Sequence, residues 1–186
     1  MTTLTSALDY SSSSPAIIIP AVGLHLSYND LNHHLVSLQI SLAKIGVGPQ
    51  LAVTISLINS LEFAISFLAV GAQRGIAAPL NPAYQQDEVE FYVDDIKAAL
   101  LIVPQGAVKN ESPAVRAARK FGLGIAEIWW DGKAIRLDLK EKGNRLKLNQ
   151  NVVKAQIDDI AVSRSGAKID GSLYCIPVEQ RGVQKV

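Results

Sequence analysis

The chain has 186 residues, 48% of them apolar and 19% charged, with 18 basic against 17 acidic side chains and a net charge of +1. That length holds one domain of ordinary size, or one domain plus a tail, and the composition is that of a chain that folds. Balanced charge excludes a field able to gather nucleic acid or anionic lipid, and a single cysteine, Cys175, excludes an internal disulfide framework or a multi-cysteine zinc site.

Residues 1–14 are polar and serine-rich, without the charged start and apolar core of a signal peptide, and predict a disordered leader. Ala16-Ile-Ile-Ile19, ended by Pro20, and Gly23-Leu-His-Leu26 predict a small β element. Ser27-x-x-Asp30 reads as a helix start, and Leu31, Leu35, Leu38, Leu42 and Ile45 then fall on one helical face until Gly46 stops it. From there strand and helix alternate. Leu51–Ile55 reads as a buried strand, and Asn59-x-x-Glu62 as the cap of a helix carrying Phe63, Phe67, Leu68 and Val70. Ile76–Leu80 is a second strand and Asp87–Ile96 a helix with Val89, Tyr92, Val93 and Ile96 inward. Ala99–Val103 is a third strand. Ser112-Pro113 opens a helix that ends at Gly122. Ile125–Trp129 is a fourth strand, turned by Asp131-Gly132 into a hairpin with Ala134–Leu137. Lys140–Gln150 reads as a polar surface loop. Asn59, Glu62, Gln73 and Arg74 interrupt the best apolar run, so no membrane span is expected.

Near-continuous apolar strands alternating with helices predict an α/β fold, a mainly parallel doubly wound sheet with helices on both faces. In such a sheet small ligands sit at the carboxyl ends of the strands. The candidates there are Ser56, Asn59, Asn81, Tyr84 and Gln105, each of which also suits turn and cap chemistry, the preferred reading.

The other conspicuous residues have plain readings beside sharper ones. His33-His34 lacks a further metal ligand at useful spacing and reads as a solvent-facing pair. Asp94-Asp95 and Asp158-Asp159 read as helix-end and turn charges, since adjacent residues on a helix point apart. Arg116, Arg119 and Lys120 could meet a phosphate, but cations late in a helix suit its dipole. Trp129-Trp130 should place one ring inward and one at the surface. Cys175 has no evident activating partner.

Specific motifs carry a family likeness. Tyr28-x-x-Leu31, Gly46-Val-Gly-Pro49, Asn59-Ser-x-Glu-Phe63 and the run Gly71-Ala-Gln-Arg-Gly-Ile-Ala-Ala-Pro-Leu-Asn-Pro-Ala-Tyr84 with Glu88-Val-Glu-Phe-Tyr92 follow one another in an order that resembles the amino-terminal part of the adenylate-forming acyl-CoA synthetases. Within that AMP-dependent synthetase/ligase superfamily the likeness is greatest to the oxalate–CoA ligase group, and it runs from about Gly23 to about Ala161. Two positions depart from the pattern: Gln50, where the family usually has glycine, and Ile58, where it usually has proline.

The resemblance implies ATP-dependent adenylation of a carboxylate followed by thioester formation with CoA, with ATP, Mg and CoA as the cofactors of a full-length enzyme. It also implies a phosphate loop ending in lysine shortly after a strand like Ile157-Asp-Asp-Ile-Ala161. Here the chain continues Val162-Ser-Arg-Ser-Gly-Ala-Lys-Ile-Asp-Gly171. Gly166-x-x-x-x-Gly171-Ser172 imitates that loop without its lysine. No catalytic, cofactor-binding or metal residue of the family is therefore expected here. The expected organisation is a disordered leader (1–14), a synthetase-like subdomain (15–161) and a tail outside the family pattern (162–186), within which Gly166–Ser172 reads as structureless.

Val162-Ser163 is what an in-frame intron start would encode, which suggests a translated intron, to be checked by transcript reads across the Ala161 codon. The expected function is an inactive amino-terminal part of an acyl-CoA ligase. The alternative is an interaction module that pairs with a full-length relative or another chain through exposed apolar surface. An independent receiver or flavin carrier is disfavoured, because the strand-end turns carry neither the acidic cluster nor the phosphate loop those folds use. The missing signal peptide and a carboxyl end unlike Ser-Lys-Leu predict a cytoplasmic setting.

Overall fold

The computed structural model describes residues 3, 5, 7–165 and 175–179. Strands β1 (Pro15–Ile19) and β2 (Leu24–Ser27) form an antiparallel hairpin, followed by helix α1 (Tyr28–Ile45). Then come β3 (Ala52–Ile55), α2 (Leu61–Ala72), β4 (Ile76–Pro79), α3 (Gln86–Asp95), β5 (Leu100–Pro104), α4 (Pro113–Lys120), β6 (Gly124–Trp130), β7 (Ile135–Glu141), β8 (Ile160–Ser165) and β9 (Cys175–Glu179). The main sheet has the order β7-β6-β5-β3-β4-β8-β9. Its inner strands run parallel, while β7 and β9 are antiparallel to their neighbours at the two edges.

Local chemistry explains where the helices begin. Ser27 and Asp30 make the reciprocal box expected of them: the Ser27 hydroxyl accepts from Asp30 N–H at 3.1 Å, and Asp30 accepts from Ser27 N–H at 3.0 Å. The Ser27 hydroxyl also donates to the Asp30 carboxylate at 2.6 Å, and this bond first, with the Ser27 N–H second, holds that carboxyl below its usual range. Ser112 caps α4 with Pro113 at its first position, as expected. The cap of α2 is corrected by one residue: Ser60, not Asn59, accepts the Phe63 N–H.

Alternate residues of each parallel strand feed two cores. Val53, Ile55, Leu100 and Ile102 join Leu35, Leu38 and Leu42 of α1 and Ile65 and Ala69 of α2 on one face. Leu101, Val103 and Ile125 join Val89 and Val93 of α3 and Val115 and Ala118 of α4 on the other. Two-sided burial is what the apolar runs foretold.

Three expectations need correction. Leu8 and Tyr10, within the segment expected to be a disordered leader, pack against the first core. The stretch expected to be a surface loop begins as strand, because β7 continues to Glu141. Beyond it, residues 142–159 form a strap across the amino-terminal ends of the parallel strands, with Leu146 only 4% exposed. Asn144 N–H donates to Gly122 O at 3.0 Å, and the Arg145 guanidinium donates to Ala98 O at 3.1 Å. Asn149 and Gln150 N–H donate to Lys44 O and Ala43 O at the end of α1, both at 2.9 Å. The strap thereby carries the chain from one side of the sheet to the other. There β8 lies parallel to β4, with Val162 opposite Ala77, and antiparallel to β9. The tail expected outside the family pattern is in part strand, since residues 162–165 and 175–179 lie in the main sheet, whereas Gly166–Ser172, read as structureless, lies outside the described residues.

Candidate functional site

The connection after β3 runs toward β4 and the connection after β5 runs toward β6, although β3 and β5 are neighbours. Connections that part in this way leave a crevice beyond the carboxyl ends of the two strands. A cavity of about 370 Å³ occupies that place. Ser56 and Leu57 after β3, Pro104 and Gln105 at the end of β5, and Ile128 and Trp129 of β6 line it, with Ser60 and Glu62 from the start of α2 and Pro82 from the turn after β4.

Ser56 is 4% exposed and held in place by its own N–H, which donates to Ile102 O at 2.9 Å. Glu62 lies in the first turn of α2, where a carboxylate complements the helix end, and it accepts the Trp130 N–H at 3.0 Å. The lining combines apolar walls with hydroxyl, amide and carboxylate groups, a surface suited to orienting a largely apolar ligand with hydrogen-bond donors.

Of the five predicted residues, the fold brings Ser56 and Gln105 together in this crevice. Asn59 lines a neighbouring apolar groove of about 510 Å³ between the β1–β2 hairpin, the start of α2 and Trp130. The Asn81 side chain accepts Ala83 N–H at 3.0 Å, and Tyr84 stacks on Tyr92 with ring centres 5.2 Å apart. These last two do turn and packing work, as preferred. Sequence reasoning missed Glu62 as a lining residue, because its helix-start role accounted for it already.

Both tryptophans are half-buried, Trp130 against the first core beside the groove and Trp129 in the crevice. His33 is exposed as expected, but His34 is half-buried edge-on to the Trp130 ring at 5.2 Å. Burial lowers the His34 pKa, and the nearby Asp30 charge only partly offsets it. The basic residues of α4 are committed to oxygen acceptors. Arg119 pairs with Glu141 at 2.7 Å and with Glu111 at 2.5 Å, Lys120 pairs with Glu90, and Arg116 donates to Gln86 at 2.7 Å. Asp159 is no simple turn charge, being 3% exposed and paired with Arg74 at 2.9 Å. Among the described residues no group of three or more His, Cys, Asp or Glu side chains could hold a metal ion, and no helix is long and apolar enough to cross a membrane. The Cys175 backbone is in β9.

Among the described residues, Glu62 is the one charged side chain that lines the crevice.

Known proteins share this architecture. Apo MatB from Rhodopseudomonas palustris matches with a TM-score of 0.75 at 19% identity, over 97% of this chain and 35% of that one. The amino-terminal domain of FACL13 from Mycobacterium tuberculosis matches with a TM-score of 0.70 at 16% identity, over 97% of this chain and 45% of that one. In sequence, the oxalate–CoA ligase of Saccharomyces cerevisiae is 33% identical over 134 residues, which are 68% of this chain and 25% of the relative. The oxalate–CoA ligase of Arabidopsis thaliana is 38% identical over 99 residues, 53% of this chain and 18% of the relative. The chain thus spans about a quarter or less of the curated relatives it matches. The AMP-binding enzyme family model matches residues 6–163. With most of its length under that match and the expected sheet beneath it, the chain belongs to the AMP-binding enzyme family, on the side of the oxalate–CoA ligases.

Proposed function

We propose that this chain is the first subdomain of an acid–CoA ligase and is not catalytic by itself. The reaction it serves is ATP-dependent adenylation of a carboxylate and transfer of the acyl group to CoA. ATP, magnesium and CoA then belong to the longer protein, and residues 162–186 are a tail outside the family subdomain. The observation that carries this reading is the match over residues 6–163 to relatives several times longer. A cytoplasmic setting accords with a chain of one cysteine. The test is carboxylate-dependent release of pyrophosphate by the purified chain with ATP, magnesium and CoA. No release above background is expected, and any sustained release would overturn the reading.

A second reading, an interaction module, is favoured by one feature. Val22 is 73% exposed at the apolar groove beside the hairpin, which Ile17, Ile19 and Leu24 also line. Exposed apolar surface of this kind marks a face that another protein surface covers. A stable stoichiometric complex with a full-length relative on co-expression would favour it, and a monodisperse monomer in that mixture would count against it.

A further inference from the structure

The strap is held by side chains that lie far from it in the sequence. Gln73 is fully buried, and its amide is used on both sides. Its nitrogen donates to Val47 O at 3.2 Å and to Asn151 O at 2.7 Å, while its oxygen accepts from Val153 N–H at 3.3 Å and from Gln39 at 3.3 Å. Gln39 in turn donates to Val153 O at 2.7 Å and Ala72 O at 3.0 Å. One residue on, Arg74 grips Asp159: its Nε lies 3.0 Å from both carboxylate oxygens, and a terminal nitrogen lies 2.9 Å from one of them. Asp159 also accepts the Gln156 N–H at 2.6 Å, which closes the turn that launches β8.

These contacts gather at the junction between α2 and β4, where Arg74 has a left-handed φ of 62°. The bonds to Asn151, Val153 and Asp159 reach outward to residues 151–159, while those to Val47 O and Ala72 O tie the two glutamines to the body of the fold. β8 lies beside β4 with Val162 opposite Ala77, and the chain leading into it is anchored by these side chains.

We propose that Gln39, Gln73 and Arg74 form a latch on residues 151–159, and that these residues and β8 open and close on it as a unit separate from the β6-β5-β3-β4 core. Closed, the latch seats β8 on β4 and sets where the chain enters that strand. Open, it bares the backbone edge of β4 while Leu146 and both cores stay packed. Partly independent units of this kind are common where a segment is joined to a fold by a few polar contacts. The device is independent of any activity of the longer protein.

The test is native-state hydrogen exchange on the whole chain, read by mass spectrometry at rising sub-denaturing urea. Peptides over 150–162 should exchange through an opening that leaves peptides of α1, β3 and β5 protected. Asp159→Asn removes the charge while keeping the shape, and should speed exchange over 150–162 by about ten- to a hundredfold, the usual effect of losing hydrogen bonds to a charged group. Arg74→Lys, which keeps charge but loses the two-pronged grip, should give a smaller increase over the same peptides. Exchange of 150–162 in step with β3 and β5 in the unmodified chain would overturn the proposal. Acceleration spread evenly along either variant, or none at all, would do so as well.

Discussion

Replacing Gly143 with alanine tests the closest backbone approach made by the strap. A Cβ built there would lie 2.0 Å from Gly124 N, 2.5 Å from Leu123 C and 2.9 Å from Gly124 Cα, where ordinary contact begins at 3.4 Å. All three are backbone atoms, so no side chain can swing aside, and the strap or the start of β6 must retreat by more than an ångström. Gly124 N–H donates to Ala99 O at 2.9 Å, and Asn144 N–H to Gly122 O at 3.0 Å, so either movement strains a sheet or strap hydrogen bond. Overpacking of this kind costs about 1–3 kcal/mol, and one weakened hydrogen bond adds about 1 kcal/mol. A loss of roughly 2–4 kcal/mol should lower the melting temperature by roughly 5–12 °C for a chain of this size, and the urea midpoint by roughly 1–2 M. The matched control is Gly71→Ala inside α2, where an added Cβ meets nothing within 4 Å and the backbone is ordinary helix. It should stabilise by about 0.5–1 kcal/mol through helix propensity alone. Differential scanning calorimetry of the pair decides the matter. A Gly143→Ala protein that melts with the unmodified chain, or two variants that shift in the same direction, would refute the reasoning.

Two further outcomes follow from single groups. Thr54 is fully buried in β3 with its hydroxyl unpaired among the described residues, so Thr54→Val should stabilise by about 1 kcal/mol, as chemical denaturation would show. Asp131 closes the β6–β7 turn by accepting the Ala134 N–H, the Arg136 guanidinium and the Lys133 N–H, which hold its carboxyl down at about 2. A carboxylate depressed in the folded state stabilises the turn above its unfolded value near about 4, and that contribution is lost as pH falls toward the folded value. The fluorescence of Trp129 and Trp130 beside the turn should therefore change in acid with a midpoint below about 4, and Asp131→Ala should abolish the step. A midpoint unmoved by that substitution would point to another group.

What could be read in the sequence was whatever is encoded within a few residues. The Ser27–Asp30 box, the Ser112-Pro113 start, the left-handed Gly46 and the Asp131 turn all follow from side chains that act on backbone three or four positions away. Apolar strands announced two-sided burial for the same local reason. Even a family departure had a physical meaning, since Gln50 adopts a φ of 63°, a conformation that glycine reaches more easily. The strap was not legible. Lys140–Gln150 looks polar because most of its side chains do face water, while what holds it is backbone hydrogen bonding and the absent side chain of Gly143. Gln73 read only as a break in an apolar run and Asp159 as a turn charge, because a buried polar group is defined by partners some 80 residues away in sequence. The crevice was half legible for a related reason. Strand-end position can be inferred once the sheet is inferred, but whether Asn81 faces the cavity or folds back on Ala83 depends on the turn's own geometry.

The two ends of the sheet therefore answer to different controls. At the amino-terminal ends the strap, Gly143 against Gly124 and the Gln73 amide decide how firmly the distal strands are attached. At the carboxyl ends Ser56, Glu62, Gln105 and Trp129 define the crevice, and their supports are the backbone of β5 and β6. The core strands between them bury Val53, Ile55, Leu100 and Ile102 almost completely, and a close-packed interior of that kind moves as one body. Loosening the strap should consequently leave the crevice intact while β3 and β5 remain paired. The surface a longer ligase would build upon is set by the first core, and the direction in which the chain leaves that surface is set by the latch.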